Sequence, residues 1–451
     1  MTIAVYPKYE SYKDGASERL DFPTPSHWQN DKARFLFRFN KGLTITKENL
    51  QDEGIPCVNY GEIHARFGFE VDPARDALKC VSPDYLKANA GSLLHRGDFV
   101  FADTSEDIEG SGNFTHLASD EPTFAGYHTL IARPNNRAET RYLAYMLNSS
   151  SFRKQVQRAV KGVKVFSISQ GLLKNLEILL PPLPEQRAIA AFLDGKCARI
   201  DEAVRIKEAQ IKLLAERRQI LIQEAVTRGL NPNAPMKDSG IDWIGQIPAH
   251  WSIAKLKFLT NKIIDGTHFT PEYLDEGIPF LRVTDLSQMK EGKIQWDTVR
   301  RISMNAHKEL SKRANAEFGD VLLSKNGTIG LTKVIDWQDE FSFFVSLCLI
   351  KLRSELNAHY FEAFFNSPLV DQQLFFGSFR TSVTNLHLER IKELLIVVPP
   401  IEEQRELVEH ISEISSPLDE GIALKQTQIT ALREYKTSLI NAAVTGKIKV
   451  L

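Results

Sequence analysis

The chain is poor in the residues that would mark it as a metalloprotein, a secreted scaffold or a membrane protein. Its four cysteines stand at 57, 80, 197 and 348, and no two have metal-ligand spacing. A zinc module or a disulfide framework is therefore not expected, and a reducing, cytoplasmic compartment is. The opening MTIAVYPKYESYKDG has no basic start followed by an apolar run, so no signal peptide is expected. The longest apolar stretch, around Phe341 to Ile350, is about half of what a bilayer span needs, and no membrane association is expected. Charge of either sign is not in surplus: 56 Lys and Arg against 57 Asp and Glu leave a net charge of −1. Any nucleic-acid surface must then come from local clustering. Also missing are a G-x-x-x-x-G-K-S/T phosphate loop, a G-x-G-x-x-G nucleotide turn, H-E-x-x-H and C-x-x-C. No catalytic residue, metal ligand or bound cofactor is expected.

What the chain has, it has twice. PPLPEQR at Pro181–Arg187 returns as PPIEEQR at Pro399–Arg405, and the register then holds at an offset of 218 residues. Asp201 falls on Asp419, Lys207 on Lys425, Gln210 on Gln428, and Ala225-Val226-Thr227 on Ala443-Val444-Thr445. Towards the front of each half, Pro25-Ser26-His27-Trp28 answers Pro248-Ala249-His250-Trp251, and Gly97-Asp98 answers Gly319-Asp320. The order is body, helix, body, helix. At 451 residues the chain is too long for one core.

After each PPxxEQR the apolar residues step by four and three. The first seam is Ile200, Val204, Lys207, Ile211, Leu214, Arg218, Leu221; the second is Leu418, Ile422, Lys425, Ile429, Leu432, Lys436, Leu439. This is a heptad stripe interrupted by two cations. One such stripe is read most simply as an amphipathic helix lying on its own body. Two stripes with matched interruptions favour helices that pack on each other, antiparallel, about a pseudo-two-fold axis. The seam cations are expected to snorkel or to pair with neighbours such as Glu216 and Glu434. Pro184 and Glu185 suit a helix start, Gly229 and Gly446 mark the ends, and Pro417 predicts a kink or break. A straight helix from Ile200 to Arg228 runs roughly 43 Å, somewhat more than one turn of B-DNA at roughly 34–36 Å.

The bodies read as mixed α/β. Short β-like runs such as Ile278–Val283, Asp320–Ser324 and Phe343–Leu352 are separated by turn residues, and a helix follows Tyr142 and Tyr360. Their anchors repeat while their interiors diverge, the pattern of two related modules that bind different things. RKQVQRAVKGVKVFS carries Arg158, Lys161 and Lys164 with no acidic residue, and suits phosphates; a solvated helix face reads equally well. In the second body, Thr267 and His268 of DGTHFTP, Lys325 and Asn326 of SKNGTIG, and Arg380 and Thr381 of FFGSFRTSVTN are candidates for base edges or phosphates, a plain turn being the alternative for the loops. The first-body counterpart of SKNGTIG is DTSEDIEGSG, whose acids would repel phosphate. His27 and His250 each precede a tryptophan, and packing or hydrogen bonding is expected of them rather than metal ligation.

Taken together, PPLPEQRAIAAFLD, PPIEEQRELVEHI, the helix ends EAVTRGL and AAVTGKI, and MKDSGIDWIGQIPAHW resemble the specificity subunit of type I restriction-modification enzymes, from about Phe22 to Leu451. The resemblance implies an α+β chain: two mixed α/β target-recognition domains separated by two long antiparallel, coiled-coil-like helices in an internal pseudo-two-fold repeat. Each domain would read one half of a split, asymmetric site in double-stranded DNA, with the helices setting the gap. It implies no catalysis by this chain. Two methylation subunits, carrying S-adenosylmethionine, would dock on it, and ATP- and magnesium-dependent restriction subunits would join them. The first body departs from the pattern, having GDFVFADTSEDIEGSG where the second has GDVLLSKNGTIG. The expected division is an N-terminal extension at 1–21, recognition domains at 22–183 and 245–401, long helices at 184–230 and 402–451, and a linker at 231–244. Other classes left open are a scaffold that never touches DNA, and a single-chain methyltransferase or nuclease with an unrecognised site.

Overall fold

The computed structural model describes residues 6–14, 20, 22–135, 137–162, 164–290, 292–376 and 385–450. The backbone divides into two compact units, Met1–Lys207 with Thr427–Leu451, and Glu208–Gln426. Each is α+β and carries the N-terminal part of one long helix and the C-terminal part of the other. Among the described residues, no helix is long and apolar enough to cross a membrane.

In the first unit, Phe37–Lys41, Thr129–Pro134, Phe99–Ala102 and Phe114–Leu117 lie side by side and antiparallel, with Glu70–Val71 added parallel to the last. Phe99–Ala102 is buried along its length, which is why it reads as an unbroken apolar run. A second sheet orders Cys80–Val81, Ile55–Val58, Thr123–Ala125 and Leu93–Leu94. The second unit repeats both: Thr260–Asp265, Leu347–Leu352, Val321–Ser324 and Thr332–Val334, then Arg300–Ile302, Ile278–Leu281 and Ser342–Phe343. The apolar run Phe343–Leu352, expected as one strand, is two strands in two sheets. It divides because Thr267 takes the backbone there, donating to the Phe343 carbonyl and accepting from Val345 N–H. All four cysteines are free and buried, and burial pushes the Cys57 and Cys348 thiols up.

The duplication extends to individual hydrogen bonds. Tyr142 and Tyr360, in the helices Thr140–Asn148 and Ala358–Phe365, are fully buried, and their hydroxyls donate to the carbonyls of Leu179 at 2.8 Å and Val397 at 2.9 Å. A buried phenol needs such an acceptor, so tyrosine rather than phenylalanine recurs. Those carbonyls belong to the final strands, Glu177–Leu180 and Leu395–Val398, which pair with Gln29–Lys32 and Ser252–Lys255.

The repeated PPxxEQR begins the two long helices, Leu183–Arg228 and Ile401–Val444. Its glutamine ties the start of the long helix to the short helix above: Gln186 accepts from Glu139 N–H at 2.9 Å and donates to the Pro181 carbonyl, and Gln404 does the same with Asn357 at 2.7 Å and Pro399. Its glutamate accepts from the HW pair. The Trp28 and His27 rings bond Glu185 at 3.2 and 2.9 Å, and the Trp251 and His250 rings bond Glu403 at 2.7 and 2.6 Å. The helix ends come back to the same tryptophans: Gly446 (φ +73°) lies against Pro25 and Trp28, and Gly229 (φ +71°) against Pro248 and Trp251. A Cβ on Gly446 would approach Pro25 Cδ to 2.3 Å, so both the left-handed backbone and the close approach require glycine there. The N-terminal stretch expected as an extension is, over Tyr12–Lys13, a strand of this same corner, pairing with Thr24–Pro25 as Met236–Asp238 pairs with Gln246–Pro248.

Within each unit the two long helices run antiparallel. In the first, Asp201 meets Lys436 at 2.7 Å and Lys207 meets Gln428 at 2.5 Å; Ile200 shares a core with Leu439, Ile440, Ala443 and Val444. In the second, Gln210 meets Lys425 at 2.9 Å and Arg218 meets Asp419 at 3.2 Å. Of the two expectations, snorkelling or pairing with neighbours such as Glu216 and Glu434, the seam cations do pair, but with partners on the opposite helix. The second helix, where Pro417 predicts a kink or break, continues through that residue unbroken and ends at Val444, short of the expected 451. Pro417 lies on the exposed face, where one missing backbone bond in 44 residues does not end the helix.

Candidate nucleic-acid interface

At one edge of each unit, loops from distant parts of the sequence are fastened by the same backbone hydrogen bonds. In the first, Gly42 donates to Thr129, Leu43 to Ala125, Asp103 to His128 and Ile168 to Asp103, at 3.1, 2.8, 3.0 and 2.8 Å. In the second, Gly266 donates to Leu347, Thr267 to Phe343, Lys325 to Ser346 and Leu386 to Lys325, at 3.2, 3.1, 2.8 and 2.9 Å. The backbone cradle is common, and the side chains on it are not.

On the first edge, Asp103 pairs with His128 at 3.1 Å. His128 is exposed and held at φ 54°, where a non-glycine residue is uncommon. Its ring lies 5.4 Å from that of Tyr60 and 6.0 Å from that of Tyr127. His64 donates from Nε2 to the Thr104 carbonyl at 2.9 Å and accepts at Nδ1 from Asn113, also at 2.9 Å. Thr104–Ser105 pairs with Phe166–Ser167, and Lys161 bridges to Ser167, so the basic turn is folded onto this edge. Arg158, Lys161 and Lys164 are exposed there. Arg153 of the same segment turns inward to Asn113 Oδ1 at 2.7 Å, and burial disfavours its charged form.

The second edge gathers Thr267, His268, Lys325 and Asn326. Lys325, expected to reach bases or phosphates, is 4% exposed and paired with Asp265 at 2.5 Å. Thr267 is likewise buried, its hydroxyl accepting from Phe269 N–H at 3.3 Å. Both shape the edge from below. His268 is exposed, and Phe269 beside it is 63% exposed. Asn326 is half-buried and bridges to Asn385. Arg380 and Thr381 lie outside the described residues. Sequence reasoning missed Asp265, Phe269 and the Tyr60–Tyr127–His128 cluster. Asp265 read as part of a turn, and nothing local to Tyr60 signals a histidine 68 positions later.

The Asp265–Lys325 pair yields a test. Lys325→Met leaves a buried carboxylate without its cation, at a cost of about 3–5 kcal/mol. Adding Asp265→Asn should recover most of that. The urea midpoints of the parent, single and double variants check it; equal midpoints for parent and single variant would mean that the pair is not a buried support.

Two divergent edges on one duplicated frame define a two-module recognition chain, and among the described residues no group of three or more metal-ligating side chains is assembled. The chain belongs to the family described as "Type I restriction modification DNA specificity domain", whose model matches residues 25–213 and 251–434. It is 23% identical over 441 residues to the type I restriction enzyme EcoKI specificity subunit of Escherichia coli K12, covering 94% of this chain and 90% of that one. It is 25% identical over 332 residues to the type I restriction enzyme MjaVIII specificity subunit of Methanocaldococcus jannaschii, covering 71% and 73%. Its fold matches a chain solved in "Structural basis underlying complex assembly and conformational transition of the type I R-M system", with a TM-score of 0.66, 18% identity, and coverage of 94% and 99%.

Proposed function

We propose that this chain is the sequence-specific, non-catalytic DNA-recognition subunit of a type I restriction-modification enzyme, in which each module reads one half of a bipartite, asymmetric site. Family membership carries the reading. The observation that supports two half-sites is the shared cradle with different side chains, Asp103 and His128 on one edge and Lys325 and Asp265 on the other. The recognition domains span 22–183 and 245–401. Arg158, Lys161 and Lys164 supply phosphate contacts, and His268 and Asn326 reach the groove. Thr267 and Lys325 hold the second edge in shape.

The seam formed by Ile200, Val204, Ile211, Leu214 and Leu221 with Leu418, Ile422, Ile429, Leu432 and Leu439 sets the gap between half-sites. Two methylation subunits dock on this chain, and restriction subunits join them. S-adenosylmethionine, ATP and magnesium are held by those partners, in the cytoplasm.

Purified chain, given DNA with S-adenosylmethionine or magnesium, should transfer no methyl group and cut nothing. Assembled with its methylation subunits, it should direct adenine methylation to a single bipartite sequence. Turnover by the isolated chain, or methylation without sequence preference, would overturn the proposal.

A further inference from the structure

The two HW-glutamate clamps differ in what covers them. In the first unit the N-terminal segment does so. The Tyr9 ring lies 5.8 Å from Trp28 and 5.6 Å from His27, and its hydroxyl donates to Glu185. Tyr12 donates to the Gly446 carbonyl at 3.0 Å, and Lys449 N–H donates to the Pro7 carbonyl at 2.7 Å. Under this cover the Glu185 side chain is 11% exposed.

In the second unit the equivalent strand, Met236–Asp238, is preceded by NPNAP, and counting back from the paired strands sets Asn233 where Tyr9 stands. No aromatic ring from that stretch covers the clamp among the described residues. A cleft of about 350 Å³ opens there instead, lined by Arg228, Asn231, His250, Trp251, Glu403 and Glu406. The Glu403 side chain is 37% exposed against 11% for Glu185, while His250 at 47% and His27 at 48% are alike.

We propose that this cleft is a docking site for an extended segment of a partner polypeptide that presents a tyrosine. Trp251 is already buried, so the ring lies on the exposed His250, and the hydroxyl donates to Glu403, as Tyr9 does to Glu185. The chemistry selects this occupant. A phenol is the common side chain with both an aromatic body for the imidazole and a donor for the carboxylate, and an O–H donated to a carboxylate is among the stronger hydrogen bonds. Two carboxylates, Glu403 and Glu406, against the one cation Arg228 disfavour phosphate and other anions. A second copy of the chain is disfavoured because its own Tyr9 is engaged.

The test uses the full chain and the heptapeptide Tyr6–Tyr12, YPKYESY, carrying a fluorophore, with binding followed by anisotropy. Saturable one-to-one binding is expected. Tyr9→Phe in the peptide should weaken it at least about tenfold, the loss of one hydrogen bond to a charged group. Glu403→Gln in the chain should weaken it comparably. No saturable binding, or equal binding of the Tyr9→Phe peptide, would overturn the proposal. So would equal binding by a Glu403→Gln chain that melts like the parent. The peptide pair decides the question even if that variant does not fold.

Discussion

Replacing residues 22–180 with the equivalent module of a relative should change one half of the methylated sequence and leave the other half and the gap unchanged. The expectation follows from the way each unit is closed. The first module's sheets, its loop edge and the Glu185 clamp lie in one unit with a core of its own, and the Lys325–Asp265 edge lies in the other. A mismatched base pair costs about 1–3 kcal/mol, and well-separated mismatches add. Several altered positions in one half-site are therefore enough to abolish modification of the parental sequence. Modified-base mapping of the host genome reads the result. A change in both halves, or in neither, would sink the assignment of one half-site to each module.

The second large effect concerns the helix pair. Seven residues inserted after Leu214 and seven after Gly421 would lengthen both helices by about 10 Å. Leu214 lies against Gly421, and the inserted turns fall between the Gln210–Lys425 and Arg218–Asp419 pairs, so both pairs survive. The gap in the recognised sequence should grow by about three base pairs at roughly 3.4 Å each. Inserting four residues after Leu214 alone shifts one helix by about 6 Å against the other. It sets Arg218 out of reach of Asp419 and displaces Ile222, Ala225 and Val226 from the second unit's core. That variant should melt below the matched one. An unchanged gap in the matched variant would rule out the helices as the ruler.

Much of the frame was legible because it is written twice. The PPxxEQR starts, the buried tyrosines at 142 and 360 and the glycine helix ends stand at repeated positions, and the structure uses each pair alike. The candidate interface was legible only as composition. The basic turn of Arg158, Lys161 and Lys164 is exposed, as a run without acids suggests. Lys325 belongs to an equally polar loop, yet it is buried because Asp265, 60 positions earlier, folds beneath it.

The sequence by itself determined the duplication, the amphipathic period of the long helices and the α+β character of each half. These are set within a few residues, by side-chain spacing and turn chemistry, or by comparison of the chain with itself. Only the tertiary structure decided that the seam cations find Asp201, Asp419, Gln210 and Gln428 rather than Glu216 and Glu434, and that His27 and His250 serve the glutamates of the two PPxxEQR starts. Those partners stand more than 150 positions away, and a local pattern of charge contains no record of which distant element will be packed against it.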